Sequence, residues 1–275
     1  MKNSWICSIF GMILTLFLAT EASAMTQIGI RFVVSETLGS NADKQKQTKI
    51  KLQGYIDELN QYYKNSKVEL QAKLVNVTFA KIVSVEAVKI LEDMQQEKNG
   101  FTNLFQQAKT LKADFTVAVA DKLTISNKPG CGRALAVNQT REAISSLRNA
   151  LMVFNFVCGS HTLAHELGHL MGLNHGSLVN SCEPNHGHQS AIAPYANGYG
   201  LGNCDSQPQP GEFGTIMVGG WMGKVYGNDK ASLRMFSNPR IRDPRCGIKQ
   251  ICGDPATGDA ARALNENAPY YVHTK

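Results

Sequence analysis

An eleven-residue segment near the middle of the chain, His165 to His175, constrains local structure more than any other feature. It reads HELGHLMGLNH and fits the pattern H-E-x-x-H-x-x-G-x-x-H. On a helix, His165 and His169 lie four residues apart on one face, so both imidazole rings can reach the same metal ion. At usual residue frequencies the full pattern would arise by chance in about one chain of this length in 10⁵. The segment therefore predicts a metal-binding helix.

The glycine inside this segment decides whether a third histidine can join the site. A helix that continued to His175 would point that ring away, because six residues turn it about 240° beyond full turns. Gly172 can take the left-handed conformation that ends a helix and lets the chain swing back. Three histidines with one open position are typical of catalytic zinc, whereas a structural zinc is closed by a fourth side chain. We therefore predict one catalytic Zn²⁺ held by His165, His169 and His175, with Glu166 as the catalytic carboxylate.

Apolar periodicity predicts an α/β arrangement on either side of this helix. Strands are predicted at 28–34, 68–83, 115–119, 133–137 and 151–157, and helices at 44–63, at 84–96 and from residue 160. After Gly172 the chain is rich in Gly, Pro, Asn and Ser until about residue 210, and only 257–265 is helical in pattern near the end. An N-terminal α/β half and an irregular C-terminal half are expected.

The first residues have the pattern of a secretory signal. Lys2 precedes an uncharged apolar run from Ile9 to Ala19, and residues 22–24 have the small-x-small sequence that signal peptidase cuts after. The run is shorter than the roughly 20 residues that cross a bilayer as a helix. We predict a cleaved signal at 1–24, a secreted or periplasmic product and no membrane insertion after cleavage; the alternative is an uncleaved anchor.

The charge of +6 is spread along the chain without a nucleic-acid motif, so no nucleic-acid partner is expected.

Cysteine usage agrees with export. Removing the signal takes Cys7 with it and leaves six cysteines, an even number that suggests three disulfides. Six cysteines allow 15 pairings, and pairing of neighbours in order is the simplest; buried free thiols are the alternative. The predicted pairs are Cys131 with Cys158, Cys182 with Cys204, and Cys246 with Cys252.

The segment 165–175 resembles the signature of the metzincin clan of zinc endopeptidases. Metzincins carry a methionine turn below the metal, and Gly214-Thr215-Ile216-Met217 follows the segment at about 40 residues. Within the clan the chain is similar to the bacterial reprolysin-like metalloproteases, which include the peptidyl-Asp metallopeptidases. The short motifs that carry this similarity are AD at 113–114, CGRA at 131–134, YANGY at 195–199, FSNP at 236–239 and AARALN at 260–265.

The resemblance implies an α/β (α+β) fold of metzincin type in a single catalytic domain, 25–275. A twisted mixed sheet with helices and the active-site helix would form an upper subdomain, 25–175. An irregular lower subdomain, 176–275, would hold the turn of Met217 and a C-terminal helix. A protein or peptide substrate would lie extended along the edge strand at Gly132, Arg133 and Ala134, which continues to about Val137. A monomer is expected.

Two positions depart from the patterns of related groups. Reprolysins usually have Asp directly after the third histidine, where this chain has Gly176. The support that this Asp gives the loop must come from elsewhere or be missing. Astacin-like members have a tyrosine where this chain has Gly219, which argues against a tyrosine ligand. The histidines at 161, 186 and 188 are interpreted as surface or loop residues, with a second metal site as the alternative.

These features favour a secreted zinc-dependent endopeptidase in which a zinc-activated water attacks the scissile carbonyl. Glu166 would take the proton of that water and pass it to the leaving amine. The alternative from another class is an inactive zinc-binding adhesin or toxin on a protease scaffold; the intact Glu166 argues against it. A thermolysin-like enzyme would take a glutamate ligand in place of His175.

Overall fold

Five strands of mostly buried residues form the sheet on which the site is built. A computed structural model of the chain describes residues 25–135, 139–178, 191–203, 209–218 and 231–273. Its strands are β1 (Thr26–Ser35), β2 (Leu70–Ala80), β3 (Phe115–Ala120), β4 (Thr124–Ile125), β5 (Lys128–Pro129), β6 (Gly132–Ala134), β7 (Leu151–Asn155), β8 (Gly200–Leu201), β9 (Phe213–Gly214), β10 (Asn238–Arg242) and β11 (Ile251–Cys252). Its helices are α1 (Ala42–Ser66), α2 (Ala87–Gln95), α3 (Leu104–Leu111), α4 (Arg141–Ile144), α5 (Gly159–Leu170) and α6 (Ala260–Asn267).

The main sheet has the strand order β2-β1-β3-β7-β6. The first four strands are parallel, and β6 runs antiparallel to β7 at the edge. Strands β4 with β5, β8 with β9 and β10 with β11 form three separate two-stranded pairs. The predicted α/β fold with a mixed sheet is therefore confirmed.

Helices cover the sheet on both faces because β1 and its neighbours are apolar on both sides. Ile28, Ile30 and Phe32 of β1 point to one face and join the core formed with α1, α5 and α6. Val33 points to the other face and packs with α2 and α3. Helix α5, which carries His165 and His169, therefore lies on the same face as α1, under the edge of the sheet made by β7 and β6.

Two of the three predicted disulfides are present among the described residues. Cys131 is bonded to Cys158, which joins the residue before β6 to the residue before α5. Cys246 is bonded to Cys252 in the C-terminal half. The third predicted pair, Cys182 and Cys204, lies outside the described residues, as do the predicted signal 1–24 and Val137.

Some element boundaries differ from the periodicity. The strand predicted at 151–157 ends at Asn155, because the Asn155 side chain accepts a hydrogen bond from the Val157 N–H and starts a 3₁₀ turn at 156–158. The last helix begins at Ala260 rather than at 257, since the Asp259 side chain caps it by accepting from the Arg262 N–H. Helix α3 was not predicted.

In the part of the chain that the structure describes, no helix combines the length and apolarity that a membrane span requires.

The bond between Cys131 and Cys158 closes a stretch of 27 residues. Replacing both cysteines by Ala should lower the free energy of unfolding by about 3.5 kcal/mol, because the unfolded chain regains the entropy of an open loop. Cys131 is exposed and Cys158 half-buried, so little packing is lost with the sulfur atoms. Urea unfolding of the oxidised parent and the variant measures the difference; a loss below about 1 kcal/mol would contradict this role.

Candidate metal centre

Helix α5 ends where the third histidine requires it to end. The Leu173 N–H donates to the Gly168 carbonyl at 2.9 Å and the Gly172 N–H to the His169 carbonyl at 3.1 Å. Gly172 has φ of +89°, in the left-handed region that favours glycine. These bonds form a Schellman cap, which satisfies the last carbonyls of the helix and reverses the chain. The cap turns His175 back toward the two histidines on the helix.

The three predicted ligand histidines converge on one point. The Nε2 atoms of His165, His169 and His175 lie 3.1 Å from one another in all three pairs. In a tetrahedral site with metal–nitrogen bonds of about 2.0–2.1 Å, ligand nitrogens are about 3.3 Å apart. The spacing of the three rings therefore fits the coordination of one metal ion, and these residues could hold one.

Hydrogen bonds on the far side of two rings set which nitrogen faces the centre. Nδ1 of His165 lies 2.9 Å from the Ile216 carbonyl, and Nδ1 of His169 lies 3.1 Å from the Leu173 carbonyl. A carbonyl oxygen only accepts, so each Nδ1 carries the hydrogen and each Nε2 presents its lone pair. Lone pairs directed at a common centre are the donor set that a metal cation needs.

Met217 supports the helix from below, as a methionine turn would. It is fully buried, and a side chain at Gly168 would lie 2.4 Å from its sulfur atom. Gly168 lies on α5 between His165 and His169, so the sulfur contacts the helix backbone directly beneath the ligands. The preceding residue, Ile216, supplies the carbonyl that orients His165. The turn therefore contacts both the helix and one of its ligand rings.

Glu166 is a buried residue of α5, and its side chain lies against the edge strand β6. Its Oε2 accepts a hydrogen bond from the Ala134 N–H at 2.7 Å. Burial raises the pKa of Glu166 to about 7, while the Ala134 N–H and the charge of Arg133 act to lower it. A carboxyl group with a pKa near 7 can both accept and donate a proton at neutral pH.

The predicted substrate strand is β6, at the edge of the main sheet. Its residues Gly132, Arg133 and Ala134 pair with β7 on one side. The outer side faces α5, where the Ala134 N–H meets Glu166. The edge strand and the carboxylate therefore lie in direct contact.

Several residues near the centre were not predicted. The Gln139 side chain donates to the His169 carbonyl at 3.2 Å, and the Tyr271 hydroxyl donates to the Met171 carbonyl at 2.9 Å. Nothing in the local sequence marks these contacts, which join distant parts of the chain. Of the histidines outside the triad, the His161 ring lies 3.0 Å from the Ser232 hydroxyl. The residues 186, 188 and 219 are outside the described ranges.

Comparison with known families shows to which family the chain belongs. A reprolysin-type family model, described as metallo-peptidase family M12, matches residues 17–218. The chain belongs to metallopeptidase family M12. This confirms the resemblance to reprolysin-like enzymes, and a metal is part of the catalytic apparatus of such a family.

A sequence relative of this M12 chain is the peptidyl-Asp metalloendopeptidase of Pseudomonas aeruginosa strain PAO1. The two are 26% identical over 284 residues, an alignment that covers 98% of this chain and 43% of the relative. The chain therefore spans less than half the length of that relative.

One of two similar solved structures supports the fold. One called "Structure of a chaperone-substrate complex" superposes with a TM-score of 0.65 at 18% identity, over 92% of this chain and 36% of the other. The crystal structure of metalloproteinase-II from Bacteroides fragilis gives a TM-score of 0.39 at 19% identity, over 57% of this chain and 45% of that one. The first similarity supports the fold of the M12 chain, and the second adds nothing to it.

The third ligand loop of this M12 chain is the loop after α5 that carries His175, and it pairs with the segment 195–199. In this loop Gly176 stands where reprolysins usually have Asp. The Asn174 N–H donates to the Ala196 carbonyl and the Gly198 N–H to the Asn174 carbonyl, each at 3.0 Å. A side chain at Gly176 would lie 2.4 Å from the Gly198 carbonyl oxygen. Backbone pairing therefore takes the place of the Asp and leaves no room for it.

Gly176→Ala should weaken metal binding, because the added Cβ must push the loop carrying His175 away from a backbone carbonyl. Gly202→Ala is the matched control, since a Cβ there meets nothing closer than 3.6 Å. Neither glycine has a positive φ. Metal content after dialysis against a weak chelator checks this: we expect loss in Gly176→Ala only. Equal retention in both variants would show that the contact with Gly198 is unimportant.

Proposed function

We propose that this M12 chain is a zinc-dependent endopeptidase that acts on peptide or protein substrates. The observation that carries the proposal is the arrangement of three converging Nε2 atoms, a buried glutamate and the edge strand of the main sheet that this glutamate contacts. The site combines a metal-binding group, a group able to move protons, and a surface to which an extended chain can pair.

Three imidazoles with no sulfur ligand among them suit Zn²⁺, and His165, His169 and His175 would hold it. When bound, the ion would polarise the scissile carbonyl and make a water molecule acidic enough to attack it near neutral pH. The protein fixes the direction of the ligand rings through the carbonyls of Ile216 and Leu173. Such outer hydrogen bonds hold the rings in the tautomer that binds metal.

Glu166 is the proton carrier in this proposal. It takes the proton of the attacking water at one carboxylate oxygen and later delivers it to the leaving amine. The Ala134 N–H holds Oε2, which fixes the side chain between α5 and β6. Glu166 follows His165 directly on the helix and is not one of the three converging ligands.

The substrate would lie along β6 as an added antiparallel strand. Main-chain pairing to a sheet edge tolerates many sequences, so side-chain pockets supply the preference. The Pseudomonas relative is named a peptidyl-Asp metalloendopeptidase, and we propose that this chain also cleaves peptide bonds at Asp. Peptides with an internal Asp are therefore the first substrates to test, followed by a mixed peptide library analysed by mass spectrometry.

We further propose that the protein acts outside the cytoplasm, in the periplasm or the medium, as a monomer. The signal pattern at 1–24 supports export. The disulfides Cys131–Cys158 and Cys246–Cys252 support an oxidising compartment.

Glu166→Gln tests the proposed reaction directly. Gln keeps the shape of the side chain and cannot accept the proton, so peptide hydrolysis should fall by about 10²–10⁴-fold while zinc content stays unchanged. Glu69→Gln, at an exposed position on the surface, is the matched control and should keep full activity. Zinc and turnover are measured on the same preparations.

Two results would contradict the proposal. A Glu166→Gln variant that holds zinc and cuts peptides at the parental rate removes this residue from the mechanism. A parent protein that binds zinc without cleaving any member of the library would favour the inactive scaffold.

A further inference from the structure

Gly132 lies on the edge strand β6, directly beside the side chain of Glu166. A Cβ placed on Gly132 would be 2.7 Å from Cγ and 3.0 Å from Oε1 of Glu166. It would also be 2.7 Å from the Cγ2 methyl of Thr162, one turn earlier on α5. The space that any other residue would use for its side chain is therefore filled by the glutamate.

The backbone at this position does not itself require glycine. Gly132 is a strand residue and is absent from the described residues with positive φ. Glycine in a strand normally lowers the stability of the folded protein relative to a residue with a side chain, because glycine loses more conformational freedom on folding. The requirement at position 132 is thus one of space.

Strand β6 is held too firmly to move away from an added side chain. The Asn155 N–H donates to the Cys131 carbonyl at 2.7 Å, and the Leu135 N–H donates to the Leu151 carbonyl at 2.9 Å. The disulfide from Cys131 to Cys158 holds the same end of the strand to the start of α5. An added Cβ would therefore displace side chains on α5.

We propose that Gly132 is a positioning residue that holds the Glu166 side chain in place for the reaction; this inference rests on the proposed role of Glu166. Its bare backbone and the Ala134 N–H form a cradle in which the Glu166 side chain packs against β6. The N–H restrains Oε2, and the missing side chain admits Cγ and Oε1. The cradle fixes one rotamer of the base, and a displacement of about 1 Å in such a group can cost about 10²-fold in rate.

The cradle also restricts how a substrate pairs with β6. The Ala134 N–H points to the outer side of the edge strand, where a pairing peptide would otherwise accept from it. Since this N–H already donates to the Glu166 carboxylate, a substrate strand that pairs with β6 cannot accept a hydrogen bond from it. The edge of the sheet thus serves both the substrate and the base.

The first experiment compares Gly132→Ala with Gly54→Ala. Gly54 lies on α1, and a Cβ there meets nothing within 4 Å, so it controls for the loss of a glycine. We expect Gly132→Ala to keep its zinc content, to stay folded at the assay temperature with a lower melting temperature because the added Cβ crowds α5, to lose about 10²-fold in kcat, and to change KM by less than about threefold. Parental kcat in Gly132→Ala would overturn the inference.

A double-mutant cycle separates positioning of Glu166 from other effects. In the Glu166→Gln background the base is already absent, so Gly132→Ala should lower the remaining turnover by less than about threefold. A further loss of about 10²-fold in that background would overturn the inference, because Gly132 would then act independently of Glu166.

Thr162→Ser distinguishes crowding of the helix from displacement of the base. Serine lacks the methyl that an added Cβ would meet, while the contact with Glu166 stays. The double variant Gly132→Ala/Thr162→Ser should remain as slow as Gly132→Ala, and full recovery would overturn the inference. Failure of the proposed function is recognised separately, by parental turnover in Glu166→Gln.

Discussion

Three imidazole nitrogens that approach to 3.1 Å form the constraint on which the rest of the site depends. The Nδ1 atoms of His165 and His169 face carbonyl oxygens, so their Nε2 atoms are acceptors that cannot bond to each other. His175 could donate to only one of them at a time. A cation at the centre resolves this arrangement, and the fold holds the rings in place for it.

Glycines let the backbone approach closely enough to build this centre. Gly172 reverses the chain at the end of α5, and Gly168 admits the sulfur of Met217 beneath the helix. A Cβ at Gly198 would lie 2.6 Å from the carbonyl carbon of Met217, and Gly176 in turn contacts Gly198. The third ligand loop, the segment 195–199 and the methionine turn are therefore stacked backbone on backbone.

The sequence predicts the parts of the molecule whose causes are local. The spacing of the histidines, the glycine that ends α5 and the apolar runs of β1 and β3 are each visible within a few residues. Helix α3 was missed because it is short and begins after Asn103, which has a left-handed conformation and no side-chain cap. Contacts such as Gln139 with His169 join separate segments, so no local pattern could reveal them. The role of Gly132 likewise depends on a helix 30 residues away.

We propose that three histidines of this M12 chain bind one zinc ion and leave one coordination position open. X-ray absorption at the zinc edge of the zinc-loaded protein measures this most directly. We expect three nitrogen ligands with the multiple-scattering pattern of imidazole at about 2.0–2.1 Å, and one oxygen ligand from water. A sulfur ligand, or fewer than three imidazoles around the zinc, would contradict it.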